Sequence, residues 1–287
     1  MQAIALNSRE AQTTWVGWLA LVAITGLMAA LFTEVLIDLA NEWWTQEEAS
    51  HGLLIPPFVL YFVYLKRAAT FSIPARPDVR GLTIVFSACA VFLAGKLAAE
   101  FFLTRISFVF LLAGLIWTFW GAARMRSLAF PLILLMTMVP PPTILYNTIA
   151  APLQLFASEV ASGLAQWLGV SIYRDGNIIH LATTSLGVAE ACSGLHSLSA
   201  LIVGSLLLGF LEDASVLGRV LIVFISVPLA IGVNVLRVTG TAVLADYNPE
   251  FALGYYHSFS GWLIFVIGFG LLWLIAKLVF RLNRSKA

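Results

Sequence analysis

The sequence predicts an all-α polytopic membrane protein, and three observations carry that reading. Of its 287 residues, 60% are hydrophobic and only 11% are charged, against about 25% charged in soluble domains; mean hydropathy is +0.93. Apolar runs recur along the whole chain at lengths suited to a bilayer. The sixteen lysines and arginines fall mainly between alternate runs. A net charge of +1 leaves no basic surface for nucleic acid. No internal repeat or low-complexity segment is visible, so residues 1–287 read as one integral-membrane domain without a soluble module.

A spanning helix needs about 20 largely apolar residues. Residues 15–36 form the first such run. It is long and its preceding charges, Arg9 and Glu10, cancel, which favours a retained span over a cleaved signal peptide. Runs at 82–99, 106–120, 216–236 and 262–279 follow, and 198–211 suffices once its polar approach is included. Two runs are short: 53–65 and 128–139 hold roughly 13 and 12 residues, and can tilt or re-enter rather than cross. The second stops at Pro140-Pro141-Pro142, which offers no N–H donors. The reading is about eight spans.

Charge placement tests that number. With the N-terminus in the cytoplasm, only Lys96, Arg105, Arg174 and Arg237 of the basic residues fall outside, a strong positive-inside bias. Omitting either short run inverts part of the alternation. Both termini are then cytoplasmic. On the outer side lies the segment 38–50 with Glu42, Glu47 and Glu48, and Trp43 and Trp44 suit an aromatic belt. The long polar segment 140–197 lies there too. Within it, 144–168 has apolar residues at helical spacing, interrupted by Gln154, Ser158, Glu159, Ser162 and Gln166. That pattern predicts a helix lying at the interface. Alternation on both sides of Asp175-Gly176 predicts a small β-hairpin before the sixth span.

Three isolated polar groups then share the outer face. Cys192 stands at the start of the sixth span, flanked by Glu190, Ser193 and Gly194, where a helix N-terminus would stabilise a thiolate. Asn234 and Arg237 end the seventh span, and His257 opens the eighth. By contrast, Cys89 stands mid-span among Ala, Val and Phe as a packing residue. Cysteine, histidine and arginine are a sufficient set for acyl transfer: a thiolate attacks a carbonyl, an imidazole moves the proton, and a guanidinium stabilises the tetrahedral oxyanion. No metal or cofactor is required. His51, at the outer start of the second span, and His180, beside the hairpin, are further candidates for the same cavity.

At these residues the sequence resembles the exosortases, membrane enzymes related to archaeosortases. The resemblance rests on Val188-Ala189-Glu190-Ala191-Cys192-Ser193-Gly194, on Asn234 to Arg237, and on His257 with Gly261. It extends to Ser50-His51-Gly52 before Leu54-Ile55-Pro56, and to Phe130-Pro131 leading to Met138-Val139-Pro140-Pro141. His196 departs from the arginine expected in many members. The resemblance implies a transpeptidase-like cysteine protease, with Cys192 as nucleophile, His257 as base and acid, and Arg237 as the oxyanion or substrate-carboxylate partner. It implies substrates that are exported proteins with a C-terminal Pro-Glu-Pro-type (PEP-CTERM) motif, a membrane helix and a basic tail, in bacteria that make exopolysaccharide. The acceptor would be an amine, a glycan-linked or lipid-linked carrier, or water.

Two other readings compete. Cys192 and His196 are four apart and share a helix face, so with His180 or His257 they could hold a metal in a membrane hydrolase. Alternatively, the chain is a non-enzymatic subunit of an exopolysaccharide or protein export assembly. The scarcity of mid-span charge speaks against a coupled transporter.

Overall fold

The computed structural model describes residues 2–188, 195–212, 215–252 and 254–284. The chain divides at its proline triplet into two compact units, Met1–Pro140 and Pro141–Ala287.

The first unit begins with α1 (Gln2–Thr45), a 3-10 helix (Glu47–Leu54) and α2 (Ile55–Ser72). Then come α3 (Gly81–Leu97), α4 (Phe101–Trp120), α5 (Ala122–Ser127) and α6 (Ala129–Met136). Phe32, Val35, Leu39 and Trp43 recur at helical spacing on α1 and are all buried. Phe32 meets Phe92 and Phe108, with ring centroids 4.9 and 5.3 Å away. Helices α3 and α4 approach closely through glycines: a Cβ on Gly95 or Gly114 would press on the backbone at Thr104 or Val85. Cys89 lies exposed on α3 rather than packed in a core.

At one end of this unit Trp43 ties two sequence landmarks together. Its indole lies against Gly52, where any Cβ would collide with the ring, and its Nε1–H donates to the Met138 carbonyl at 2.9 Å. An ion pair, Glu42–Arg105, closes the same region at 2.5 Å, with the arginine stacked over Phe101. At the opposite end, the loop between α2 and α3 is pinned to α4 and α5. Asp78 N–H donates to the Thr118 carbonyl, and Arg124 Nε–H to the Ile73 carbonyl.

Asp78 in that loop accepts from the Arg80 N–H at 3.0 Å and the Trp117 indole at 3.1 Å. These bonds hold its carboxyl below the usual carboxylate range. A depressed folded-state pKa stabilises the fold above the unfolded value, and this is lost as pH falls through the folded one. The wild-type melting temperature should therefore fall more steeply than that of Asp78→Asn as pH drops below about 4. Parallel melting curves for the two proteins would show that the bonds do not hold the loop.

The second unit begins with α7 (Thr143–Trp167) and a three-stranded antiparallel sheet, β1 (Tyr173–Asp175), β2 (Ile178–His180) and β3 (Ser185–Gly187). It continues with α8 (Leu195–Leu211), α9 (Val216–Tyr247), a 3-10 turn (Pro249–Ala252) and α10 (Gly254–Arg284). Gly169, at φ +95°, ends α7: Val170 N–H reaches the Ala165 carbonyl and Gly169 N–H that of Gln166. Helix α9 is a shared wall. Val235, Val238, Ala242 and Ala245 pack with Ala157, Ala161 and Ala165 of α7 and with Ile179, Leu186 and Val188 of the sheet region. Ile222 and Ala230 pack instead with Leu201 and Leu208 of α8 and Leu272 and Ala276 of α10.

Among the described residues, five helical segments are long and apolar enough to cross a membrane: Val22–Thr45, Ala49–Ser72, Phe101–Trp120, Val216–Tyr247 and Phe259–Leu282. The short run at 53–65 gains length because the 3-10 helix precedes it and the helix continues past Lys66 and Arg67. Two expected spans are shorter apolar helices, Gly81–Leu97 and Ser197–Leu211. The run at 128–139 contains only the eight-residue α6, about 12 Å of helix, against a hydrocarbon core of about 30 Å.

Two expectations need correcting. The hairpin turns at Gly176-Asn177, with Asp175 paired to Ile178, and a third strand follows it. Gly176 takes φ +61°, which explains the glycine there. The amphipathic reading of α7 holds at Glu159 and Gln166, which are exposed, and is reversed at its serines. Ser158 and Ser162, taken from the sequence as the polar face, are buried with Ala157, Ala161 and Ala165, while Ile149, Phe156 and Trp167 are exposed. Small residues let helices approach closely, and lipid tails solvate large apolar side chains as well as a core does.

Candidate functional site

Two candidate residues of the second unit, Asn234 and Arg237, lie on α9. Helical spacing places Asn234 and Arg237 on one face; Asn234 is buried and Arg237 half-buried. Asn234 lines a narrow cleft with Leu153 and Ala157 of α7, Leu198 of α8 and Ile231. The Arg237 guanidinium lies against Gly261 of α10, so that a Cβ there would stand 2.8 Å from a terminal nitrogen. His257 is four residues before Gly261 on the same helix, about 6 Å nearer the α9–α10 connection. The His257 and His196 side chains lie outside the described residues. Helix α9 runs ten residues past Arg237 to Tyr247, so the end of the apolar run at Leu236 is not the end of the helix. Starting from Val216, Arg237 stands about 32 Å along the helix, one hydrocarbon thickness from its start.

Cys192, Glu190 and Ser193 lie outside the described residues. The residues flanking them are well placed. Before them, Val188 is fully buried in the cluster with Val235 and Val238, and its N–H donates to the Asn177 carbonyl at 2.9 Å. After them, Leu198 lines the Asn234 cleft. Both flanks of the thiol-bearing segment therefore rest on the stretch of α9 that carries Asn234 and Arg237.

His180 is oriented by its neighbours. Its Nδ1 is 2.8 Å from the Ser185 Oγ, and its ring stacks on Tyr173 at 5.8 Å. His51 belongs to the first unit, half-buried in the 3-10 helix beside Gly52. Among the described residues no three His, Cys, Asp or Glu side chains are grouped to hold a metal. Sequence reasoning did not find Trp43 as the link between Gly52 and Met138, nor the role of Gly261 as the floor under Arg237. The signal for the second was present: a glycine one turn after a histidine, followed by the bulky run Trp262–Ile267.

Gly261→Ala should lower activity about tenfold at unchanged folded yield, because the guanidinium must give way to the new methyl group and misplacement at a reacting centre is costly. Equal initial rates for the two proteins would show that Arg237 needs no such seat.

The sequence profile of one family, described as transmembrane exosortase, matches residues 43–274. No curated protein and no solved structure matches the chain.

Proposed function

The chain belongs to the transmembrane exosortase family, and on that premise we propose that this multi-pass membrane protein is a cysteine transpeptidase or protease of exported proteins. Its substrates carry a C-terminal Pro-Glu-Pro-type motif, a membrane helix and a basic tail. The protein resides in the bacterial inner membrane with cytoplasmic termini and a periplasmic active site. Its two units act as one domain, since the family match runs unbroken across Pro140–Pro141.

One observation carries this reading. Arg237, the helix that bears His257, and both flanks of the Cys192 segment meet on one stretch of α9. In the proposed cycle His257 takes the Cys192 thiol proton, and the thiolate adds to the scissile carbonyl. The Arg237 guanidinium donates to the oxyanion. Collapse breaks the C–N bond, His257 returns the proton to the departing amine, and a thioester remains. An acceptor amine, a carrier nucleophile or water then attacks the thioester and releases Cys192. Asn234 supports the cleft floor, while Glu190, Ser193, His196 and His51 serve substrate binding. A substrate helix with its basic tail inside presents the motif at the outer interface, the depth at which α9 carries Arg237.

The test is co-expression with an exported protein bearing such a signal, followed by its electrophoretic size. Processing by wild type and none by Cys192→Ala is the expected result, at a loss of about 10⁴-fold or more. Equal processing by both would remove Cys192 from the chemistry.

A further inference from the structure

The sheet has two edges, and the structure treats them differently. The β1 edge is partly covered, at the carbonyls on either side of the strand. Gln166 of α7 donates to the Ile172 carbonyl at 3.1 Å, Ser158 of α7 to the Gly176 carbonyl at 3.0 Å, and Arg174 folds back onto the same carbonyl at 2.9 Å. Helix cover and charge are the usual ways of blunting an edge strand.

The β3 edge has neither. Leu181 N–H donates to the Thr184 carbonyl and Val188 N–H to the Asn177 carbonyl, so the bonded pairs between β2 and β3 fall at 181/184, 179/186 and 177/188. Alternation then turns the N–H and C=O groups of Ser185 and Gly187 away from the sheet. Among the described residues those four groups meet no hydrogen-bond partner. Ser185 is exposed, Gly187 is half-exposed and bears no side chain, and neither lysine nor proline guards the strand. Leu186 meanwhile anchors the strand from its inner face.

Donors and acceptors alternating at strand spacing are matched by one ligand chemistry, an extended polypeptide. The strand ends at Gly187, and buried Val188 follows it, four residues before Cys192 in the chain. We propose that the free edge of β3 is the docking strand of this protein, where the extended segment of the substrate polypeptide adds as a fourth strand, five residues ahead of Cys192 in the chain. This rests on the cysteine-transpeptidase reading and supplies its binding step.

Side chains of an added strand alternate, so the sheet reads every second backbone position of the peptide. In a Pro-Glu-Pro-type peptide both prolines lack N–H groups on one edge. The glutamate amide, on the other edge, is then the donor that can pair with β3.

The experiment measures binding, not turnover. A fluorescently labelled soluble peptide carrying the Pro-Glu-Pro motif and its flanks is titrated onto full-length Cys192→Ala protein in nanodiscs. It is compared with the same peptide N-methylated at the glutamate nitrogen. N-methylation should weaken binding about fivefold or more, as should Gly187→Pro on the protein side, which removes an outward donor but no ladder bond. The N-methyl arm leaves the protein unaltered, so a folding defect in Gly187→Pro cannot decide the result. Equal affinity for the two peptides, or no binding of the unmethylated one, overturns the proposal. The co-expression assay separates the two claims: Cys192-dependent processing with equal peptide affinities removes the docking edge and keeps the enzyme. Cys192-independent processing removes the enzyme, and the peptide pair still decides the edge.

Discussion

Arg237→Lys should slow processing by about 100-fold or more while the protein still folds, although the substitution keeps the positive charge. Removing one oxyanion donor typically costs 10²–10³-fold. An ammonium is a compact, strongly hydrated point on a flexible stem, without the planar fork of a guanidinium. Arg237 is half-buried, and its head group rests on the bare backbone of Gly261. A lysine there leaves part of that seat empty and has freedom to turn from the reacting oxygen. Initial rates with a purified substrate in proteoliposomes would measure the loss. A decrease of less than about threefold would place Arg237 outside the transition state and reduce it to a structural cation.

The largest stability effect should come from the first unit. Arg105 and Glu42 form an ion pair in which the two side chains are only 8% and 19% exposed. Arg105→Ala takes the guanidinium from a largely desolvated carboxylate, which costs about 3–5 kcal/mol for buried pairs. Removing both charges with Glu42→Gln and Arg105→Met should restore most of that, since the desolvation penalty disappears together with the attraction. Denaturant unfolding of the single and double variants in one detergent would give the comparison. A loss below about 1 kcal/mol for Arg105→Ala would mean that the pair behaves as a solvated surface contact.

The membrane class was legible from composition, because a bilayer imposes a coarse demand on length and polarity. The candidates Arg237 and Asn234 stood out as isolated polar groups in apolar surroundings, and the packing of α9 groups them with the flanks of the Cys192 segment. Helix ends were harder. The apolar run that seemed to stop at Leu236 continues as helix to Tyr247, since Arg237, Thr239 and Thr241 are buried or half-buried on α9 rather than marking a loop. The serine face of α7 was misread because hydrophobicity predicts burial in water, whereas here size decides. The third strand escaped because Ser185–Gly187 is too short for alternation to register, and only its pairing with β2 defines it.

Gly261 also changes how sequence variation at the site should be understood. The position of the guanidinium is held open by an atom that is absent, so the constraint belongs to two residues on two helices. A larger side chain at 261 is compatible with the same chemistry only if the cation is shortened or re-aimed in the same lineage. Single replacements at either position then carry a cost in activity, and drift at the pair should proceed by coupled steps.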